Sequence, residues 1–351
     1  MPTTSSSTST NLPVGVIGSG SFGTAIAMLL AYNVDVIIYS RQVEVVKNIN
    51  ENHQHLGYTL SERIRATNDL EEVAKRCHLI FPIVPSVNFR QMTQSISPYL
   101  RPYHILIHGT KGFDLSVDLG ESDKVLKREE VHTMSEVILQ ETVVVRVGCL
   151  SGPNLSAEIM SGQPAATVIG SRFSEVIKLG RRVLNSQQFH VFGSYEILGA
   201  ELAGALKNAI AIGSGVLGGL GMGKNIQALL ITRGLVEMVY LANSMGVSSK
   251  AFLGTAGIGD LVATATSTNS RNYTFGTLLA KGMTLKEISE SMSELAEGVR
   301  TIQIMHRLAA HYNQHAPITN MLHRVVFKGF DIYKAIEYLM TYPYAVDVDF
   351  I

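Results

Sequence analysis

The sequence predicts an α/β fold in which a doubly wound, mostly parallel sheet is followed by an all-α C-terminal domain. Within residues 14–39, a strand pattern, a glycine turn, a helix pattern and a second strand pattern follow one another. Short runs rich in β-branched residues recur as far as residue 192, with helix patterns between them. Such alternation is typical of βαβ units, whose strands are parallel. Beyond residue 194 long helical patterns dominate.

The first βαβ unit has three predicted elements. The apolar strand Val14–Gly18 leads into a helix over Thr24–Leu30, and Val34–Tyr39 supplies the second strand. A further helix should begin near Asn68, which precedes Glu71 by three residues as in a capping box. Apolar runs predict further buried strands at Leu79–Val84, Ile105–His108, Val143–Val147, Ala166–Ile169 and Phe189–Phe192.

The length of 351 residues favours two domains. We expect a sheet domain over residues 13–193 and a helical domain over 194–351. Residues 1–12, a Ser/Thr-rich tract, have neither the basic residues nor the apolar stretch of a targeting peptide, so a disordered tail is expected. The polar stretch 116–136 should form a solvated loop and helix at the rim of the sheet.

One segment, Ile197–Met222, is apolar and long enough to suggest a membrane span. It is interrupted by Glu201, Lys207 and Asn208, and a lysine at mid-span is costly in a bilayer. We therefore expect a buried core helix and no stable membrane insertion.

Composition excludes several function classes. Lys plus Arg and Asp plus Glu number 29 each, so no net positive field indicates a nucleic-acid partner. Two cysteines, Cys77 and Cys149, are too few for a disulfide framework or a zinc site and fit a reducing cytoplasm. The pair His53 and His55 lacks acidic or Cys partners at ligand spacing, so no metal site is expected.

The glycine turn Gly18–Gly23 reads Gly-Ser-Gly-Ser-Phe-Gly and matches the dinucleotide fingerprint. In that pattern Gly18 makes the tight turn, Gly20 lets the backbone approach a pyrophosphate, and Gly23 lets helix and strand pack closely. Glycines alone can mark an ordinary turn. Because this turn follows a strand and opens a helix, we interpret it as a Rossmann-type nucleotide site.

The second strand ends in Ser40-Arg41, where NAD-binding folds usually place an acidic residue for the ribose hydroxyls. A carboxylate repels a 2′-phosphate, whereas Ser40 and Arg41 are able to bind one. The alternative is a solvated loop arginine. We expect NADP(H) to be accepted, without excluding NAD(H).

Lys207 lies within an apolar, small-residue helix pattern. Burial disfavours its charged form and lowers its pKa, as a general base near neutral pH requires. The alternative is a lysine whose stem packs while its ammonium group reaches water. The residues alone leave both open.

Three further side chains are candidates for a ligand site. Lys111 follows the strand Ile105–His108 and so lies at the edge where open α/β sheets bind ligands, unless it is only a turn lysine. Asp260 either caps a helix or belongs to a site. Arg271, near a predicted helix start, offers a bidentate fork for phosphate or is a surface arginine.

Several segments, in this order from about Val14 to near Gly329, resemble the bacterial-type NAD(P)-dependent glycerol-3-phosphate dehydrogenases. Besides the fingerprint and Pro85-Ser86, the segments are Thr110–Gly112, Ser151–Asn154, Lys207–Gly213, Gly257–Leu261, Asn269–Asn272 and Ala296–Gly298. One departure is Asn154-Leu155-Ser156, where the family usually has Ser or Thr followed by Phe-Ala.

The resemblance implies interconversion of dihydroxyacetone phosphate and sn-glycerol 3-phosphate, supplying phospholipid synthesis, with Lys207 as proton acceptor. It implies substrate contacts at Lys111, Gly152, Asn154, Lys207, Asp260, Ser270, Arg271 and Asn272. Cofactor contacts are expected from the fingerprint and the second strand at Gly18, Gly20, Gly23 and Arg41. From the resemblance, further cofactor contacts are expected at Ser21, Phe22, Lys111, Ser156, Arg271, Leu295 and Glu297.

Two rival interpretations remain. The 3-hydroxyacid and 6-phosphogluconate dehydrogenases also place Lys and Asn on a helix after a nucleotide domain, but they do not predict the segments around Asp260 and Arg271. A non-catalytic NADP-binding sensor has no need of Lys207. A homodimer is expected, with the helical domain burying the interface.

Overall fold

The structure, a computed structural model, describes residues 12–120, 124–292, 296–343 and 346–347. The expected tail falls outside these ranges apart from Leu12, and so does Leu295. All structural statements below concern the described residues.

Eight strands form one sheet in the order β12-β11-β10-β7-β6-β1-β2-β5. Neighbouring strands are parallel except for the antiparallel pair β10 and β11. The strands are β1 (Val14–Ile17), β2 (Val36–Tyr39), β3 (Gln54–His55), β4 (Tyr58–Thr59), β5 (Ile64–Thr67), β6 (Leu79–Pro82), β7 (Ile105–His108), β8 (Asp114–Leu115), β9 (Val131–His132), β10 (Arg146–Ser151), β11 (Ala165–Gly170) and β12 (Phe189–Ser194). The pairs β3–β4 and β8–β9 form small separate hairpins.

Seven helices accompany the sheet. They are α1 (Ser21–Leu30), α2 (Val43–Asn52), α3 (Leu70–Arg76), α4 (Ser86–Ile96), α5 (Met134–Glu141), α6 (Ser156–Met160) and α7 (Ser174–Leu184). Consecutive residues of β1 pack on opposite faces: Val16 belongs to a core cluster with Ile26 of α1, and Ile17 to one with Phe89 of α4. Burial on both faces explains why the strands are continuous apolar runs.

Every α-helix after β12 belongs to the C-terminal helical layer. These helices are α8 (Ile197–Gly219), α9 (Lys224–Ser244), α10 (Asp260–Thr266), α11 (Arg271–Ala280), α12 (Leu285–Ser291), α13 (Glu297–His311), α14 (Pro317–Lys328) and α15 (Ile332–Thr341). The predicted fold class, a mostly parallel sheet followed by an all-α domain, is confirmed. The boundary at 193/194 remains a proposal; it falls one residue before the end of β12, and α8 begins at Ile197.

Helix α8 is the axis of this layer. Among the described residues it is the one helix whose length and hydropathy would suit a membrane span, yet 89% of that window is buried inside the molecule. It packs against α9, α10, α11 and α13. Its polar residues Glu201, Lys207 and Asn208 are buried as well. The core-helix interpretation accounts for the apolar composition.

The strand β10, the sixth of the large sheet along the chain, was predicted too early in the sequence. Val143–Val147 was expected, but β10 runs over Arg146–Ser151, and Val143 and Val145 are exposed. A Cβ on Gly148 would lie 2.9 Å from Cγ1 of Val176, so close packing selects glycine within the strand. Hydrophobicity alone therefore favoured the valines outside it.

Two local predictions need correction. Helix α3 begins near Asn68 as expected, at Leu70, but Asn68 is not its cap: the Asp69 carboxylate accepts the backbone N–H of Glu71 at 2.8 Å and caps the helix. The stretch 116–136 is not wholly solvated. Leu126 and Val131 within it are buried against the helical layer.

Gly23→Ala should lower the free energy of unfolding by about 3 kcal/mol, because its Cβ would lie 2.0 Å from the carbonyl oxygen of Gly18. Thermal denaturation measures the effect. Gly20→Ala is the matched control, since Gly20 has a φ of −72° and no atom within 4 Å of an added Cβ. Equal melting temperatures for the two variants would contradict the packing argument.

Candidate active site

The sheet has its topological switch point between β1 and β6, where ligands bind at the carboxyl ends of the strands. Gly18 leaves β1 with a φ of +117°, and a Cβ there would lie 2.1 Å from the oxygen of Ile83. Helix α1 then begins at Ser21 with no side-chain cap and no acidic residue in its first turn. The space beside Gly20 and the uncapped N–H groups fit a pyrophosphate.

The end of β2 lies beside this turn. Ser40 is buried, and its Oγ accepts the Ser19 hydroxyl at 2.8 Å and the Gln42 N–H at 3.3 Å. Arg41 is exposed. His55, for which no metal site was expected, lies with its Nε2 2.7 Å from the Ser19 carbonyl oxygen and stabilises the turn. Arg41 is therefore an exposed, positively charged side chain at the end of β2. The Ser40 hydroxyl is already hydrogen-bonded within the turn.

Two more residues expected to contact the cofactor lie close to α1. Ser156 is the first residue of α6, which packs against α1. Phe22, in the first turn of α1, lies against Gly109, where an added Cβ would be 2.9 Å from its ring. The aromatic ring therefore borders the segment that leads from β7 to Lys111.

Two lysines share one buried carboxylate. Lys207 Nζ lies 2.5 Å from Oδ1 of Asp260, and Lys111 Nζ lies 2.7 Å from Oδ2. Asp260 is 1% exposed and Lys207 4%. The structure thus brings together three of the residues predicted from sequence, one each from α8, α10 and the loop after β7.

The proton affinity of Lys207 is reduced. Burial lowers its pKa from 10.5 to about 8. The negative charge of Asp260 raises the pKa, the positive charge of Lys111 lowers it, and the hydrogen bond to Asp260 raises it again. The buried interpretation of Lys207 holds, and the snorkelling alternative is wrong.

The backbone before Asp260 has an unusual conformation. A single π-type turn spans Thr255–Gly259 directly before α10, and such turns are frequent at functional sites. A Cβ on Gly257 would lie 2.2 Å from the oxygen of Phe252, so only glycine permits this approach. This close packing fixes the start of α10 and therefore the Asp260 side chain.

Thr264 also contacts Lys207 and Asp260, and the sequence analysis did not identify it. The Lys207 ammonium donates to the Thr264 hydroxyl, which also lies 3.4 Å from Oδ1 of Asp260. Asp260 and Thr264 are four residues apart on α10 and so share a helix face. This four-residue spacing is the sequence feature from which Thr264 was predictable.

Lys111 is held from three sides. Its ammonium donates to the carbonyl of Gly152 at 2.7 Å as well as to Asp260. Its own carbonyl accepts Nδ2 of Asn208 at 3.2 Å. Its stem passes Gly204, where an added Cβ would be 3.6 Å from Cγ of Lys111.

Asn154 lies beside this group. Its Nδ2 donates to the Thr167 hydroxyl at 2.9 Å. Its buried Oδ1, like the Ser151 hydroxyl, has no hydrogen-bond partner among the described residues. Buried polar atoms are rarely left unpaired, so both are available to a ligand.

The segment Ser270–Asn272 opens α11. Ser270 caps the helix by accepting the Tyr273 N–H, and Arg271 is exposed at the first position. Asn272 donates to Oδ1 of Asn208 at 2.9 Å and accepts the Gly298 N–H at 2.9 Å. Asn272 therefore links α8, α11 and α13; Ser270 and Asn272 are buried, while Arg271 between them is exposed.

Glu297 joins the sheet to α13. Its carboxylate accepts the backbone N–H of Ser86 at 2.9 Å and the Ser86 hydroxyl at 2.6 Å. Ser86 follows β6, next to the switch point, so Glu297 stands at the cofactor edge. Leu295, predicted beside it, lies outside the described residues.

Comparison with known proteins identifies the family. Residues 13–176 match the NAD-dependent glycerol-3-phosphate dehydrogenase N-terminus, and residues 196–337 match the C-terminus of the same family. A glycerol-3-phosphate dehydrogenase [NAD(P)+] of Teredinibacter turnerae is 37% identical over 344 residues, 97% of either chain.

Solved structures agree. Glycerol-3-phosphate dehydrogenase from Coxiella burnetii has a TM-score of 0.84 and 30% identity, covering 94% of this chain and 99% of that one. The Plasmodium falciparum glycerol-3-phosphate dehydrogenase, 22% identical, shares the fold with a TM-score of 0.83 over 95% of this chain and 97% of its own. The family predicted from the ordered motifs is confirmed: this chain belongs to the NAD-dependent glycerol-3-phosphate dehydrogenases.

Proposed function

We propose that this chain interconverts dihydroxyacetone phosphate and sn-glycerol 3-phosphate with NAD(P)(H), and that Lys207 exchanges the proton. The observation that carries the proposal is the buried Lys207 amine, with a pKa of about 8, bonded to the carboxylate that also holds Lys111. An amine of this pKa changes protonation state near neutral pH, as general acid–base catalysis requires.

The bound nicotinamide cofactor supplies or accepts the hydride. In the oxidation, the neutral Lys207 amine takes the proton of the C2 hydroxyl; in the reduction, its ammonium returns that proton to the developing alkoxide. Asp260 orients both lysines through its two oxygens. Lys111 places a positive charge where the carbonyl oxygen gains negative charge.

The substrate phosphate is assigned to the start of α11. Arg271 offers a bidentate guanidinium there, and Ser270 and the first N–H groups of the helix add donors. Asn272 supports these groups through its bonds to Asn208 and Gly298. Gly152 and Asn154 are assigned to the three-carbon unit.

The cofactor is assigned to the crevice at the switch point. The fingerprint turn takes the pyrophosphate, and Arg41 takes a 2′-phosphate. The remaining contacts in this assignment are Ser21, Phe22, Lys111, Ser156, Arg271, Leu295 and Glu297. Both NADP(H) and NAD(H) are included, as in the name of the Teredinibacter relative.

The cellular setting is part of the same proposal. Two buried free thiols, Cys77 and Cys149, support a reducing cytoplasm. A role in phospholipid synthesis follows from the product, glycerol phosphate. A homodimer is supported by exposed apolar side chains on α9 and α15, namely Leu229, Tyr338 and Met340.

Dihydroxyacetone phosphate should be reduced with oxidation of NADPH or NADH, followed by absorbance, and Lys207→Met should lower kcat by about 10²- to 10⁴-fold. The methionine keeps the packed stem while Lys111 still pairs with Asp260, so cofactor affinity should not change. Lys178→Met on α7, an exposed lysine, is the control. Turnover with 3-hydroxyacids or 6-phosphogluconate instead would favour the rival dehydrogenases, and unimpaired Lys207→Met would remove the proposed base.

The pH dependence should have opposite signs in the two directions. Reduction needs the Lys207 ammonium, so kcat should fall as pH rises through about 8, whereas oxidation needs the neutral amine and should rise there. We call the pH range over which kcat changes the pH limb. In Lys111→Met the pH limb of each direction should move to higher pH, because the positive charge that lowers the pKa of Lys207 is gone. Rates that do not vary between pH 7 and 9 would contradict this assignment.

Arg41→Asp should lower kcat/KM with NADPH by about tenfold to a hundredfold, the loss expected for a charged hydrogen bond, while the value with NADH changes little. Arg172→Asp, at another exposed position of the sheet domain, is the control. An unchanged ratio of the two values would show that Arg41 does not read the 2′-phosphate.

A further inference from the structure

Three residues of α8 form a stripe that faces the end of β7. Glu201, Gly204 and Asn208 are spaced by three and four residues and so share one helix face. The chain from His108 to Lys111 lies along them. His108 bonds Glu201, the Lys111 stem passes Gly204, and the Lys111 carbonyl accepts from Asn208.

The Glu201 carboxylate at one end of this stripe is buried and fully engaged. Its Oε1 accepts the imidazole Nε2 of His108 at 2.8 Å and the backbone N–H of Ser135 at 2.8 Å, and its Oε2 accepts the Ser135 hydroxyl at 2.6 Å. Burial raises the pKa of Glu201, but the hydrogen bond and charge interaction with His108 and the hydrogen bonds from Ser135 outweigh it, and the net direction is downward. Glu201 is therefore an anion that joins α8 to β7 and α5.

His108, the partner of Glu201, is buried as well. Its ring is 1% exposed and meets Phe89 edge to face, with the ring centres 5.8 Å apart. Its Nδ1 has no hydrogen-bond partner among the described residues. The proton on Nε2 is donated to Glu201, and this hydrogen bond is the contact that joins His108 to α8.

We propose that His108 and Glu201 are positioning residues for the reaction: their buried hydrogen bond fixes where the 108–111 segment sits on α8 and so holds the Lys111 ammonium at Asp260. Three residues of chain span at most about 10 Å, so a displacement at His108 is transmitted to Lys111. Neither residue is assigned a substrate or cofactor contact. The inference rests on the proposed roles of Lys111 and Lys207.

A merely structural pair would affect stability alone, whereas a positioning pair also affects the proton exchange. If Lys111 moves away from Asp260, Lys207 loses the neighbouring positive charge that lowers its pKa. The pH at which kcat for reduction falls should then increase. This change in the pH profile separates the two roles.

The test begins with two variants of His108. His108→Phe keeps an aromatic ring against Phe89 but removes the Nε2 donor. Its kcat should fall about tenfold to a hundredfold, as expected when a group in the site is misplaced by about 1 Å. Its pH limb should move to higher pH. His108→Gln keeps an N–H donor and should restore most of kcat and the original limb. Fluorescence titration with NADPH checks that both variants still bind the cofactor.

His104→Phe is the matched control. His104 is fully buried in the same domain and bonds the Ala74 carbonyl at 2.8 Å, without a contact to α8. It should lower the melting temperature and leave kcat and the pH limb unchanged. A change of the limb in this control equal to that in His108→Phe would overturn the positioning role.

Wild-type kcat and pH limb in folded His108→Phe would also overturn it. If that variant does not fold, Ser135→Ala decides, because it removes only the hydroxyl donor to Glu201. A smaller shift of the limb in the same direction supports the proposal, and no shift overturns it. Absence of dihydroxyacetone phosphate reduction in the wild-type chain would instead count against the proposed function.

Discussion

The site depends on the ion pairs that one buried carboxylate, that of Asp260, makes with two lysines. The carboxylate accepts Lys207 on one oxygen and Lys111 on the other, while almost completely excluded from water. Burying a charge is costly unless it is paired, so Asp260 stabilises the ammonium group of the buried Lys207 and that of the partly buried Lys111. The three residues come from α8, the sheet domain and α10. The site therefore exists only when the two layers are packed together.

Close backbone packing makes that assembly possible. Helix α8 meets α11 almost backbone to backbone: an added Cβ would lie 2.1 Å from the Tyr273 oxygen at Gly215, and 2.0 Å from the Ile212 oxygen at Gly276. Gly204 makes the same kind of room for Lys111 on the sheet side. The glycines of α8 thus let the sheet domain and α11 come close to the helix that carries Lys207.

Patterns local in sequence predicted most of the fold and singled out Lys207, Lys111 and Asp260 as candidates, which the structure brings together. The βαβ unit was predicted because burial on both faces leaves uninterrupted apolar strands, and Lys207 stood out because a charge in an apolar helix needs a reason. Partners such as Glu201 for His108 were not predictable. They are 93 residues apart, and tertiary packing selects the pair. The shift at β10 has the same origin, since neighbours and not hydrophobicity select Gly148.

The second lysine is essential to the base that we propose for Lys207. Opposite unit charges about 4 Å apart near a protein surface attract by about 4 kcal/mol, which corresponds to about three pKa units. Paired with a carboxylate alone, a lysine would keep its proton throughout the physiological range. Burial and the Lys111 charge offset the attraction of Asp260 and bring the pKa of Lys207 to about 8. In the proposed mechanism Lys111 therefore contributes to the proton exchange through its positive charge beside Lys207, in addition to its assigned substrate contact.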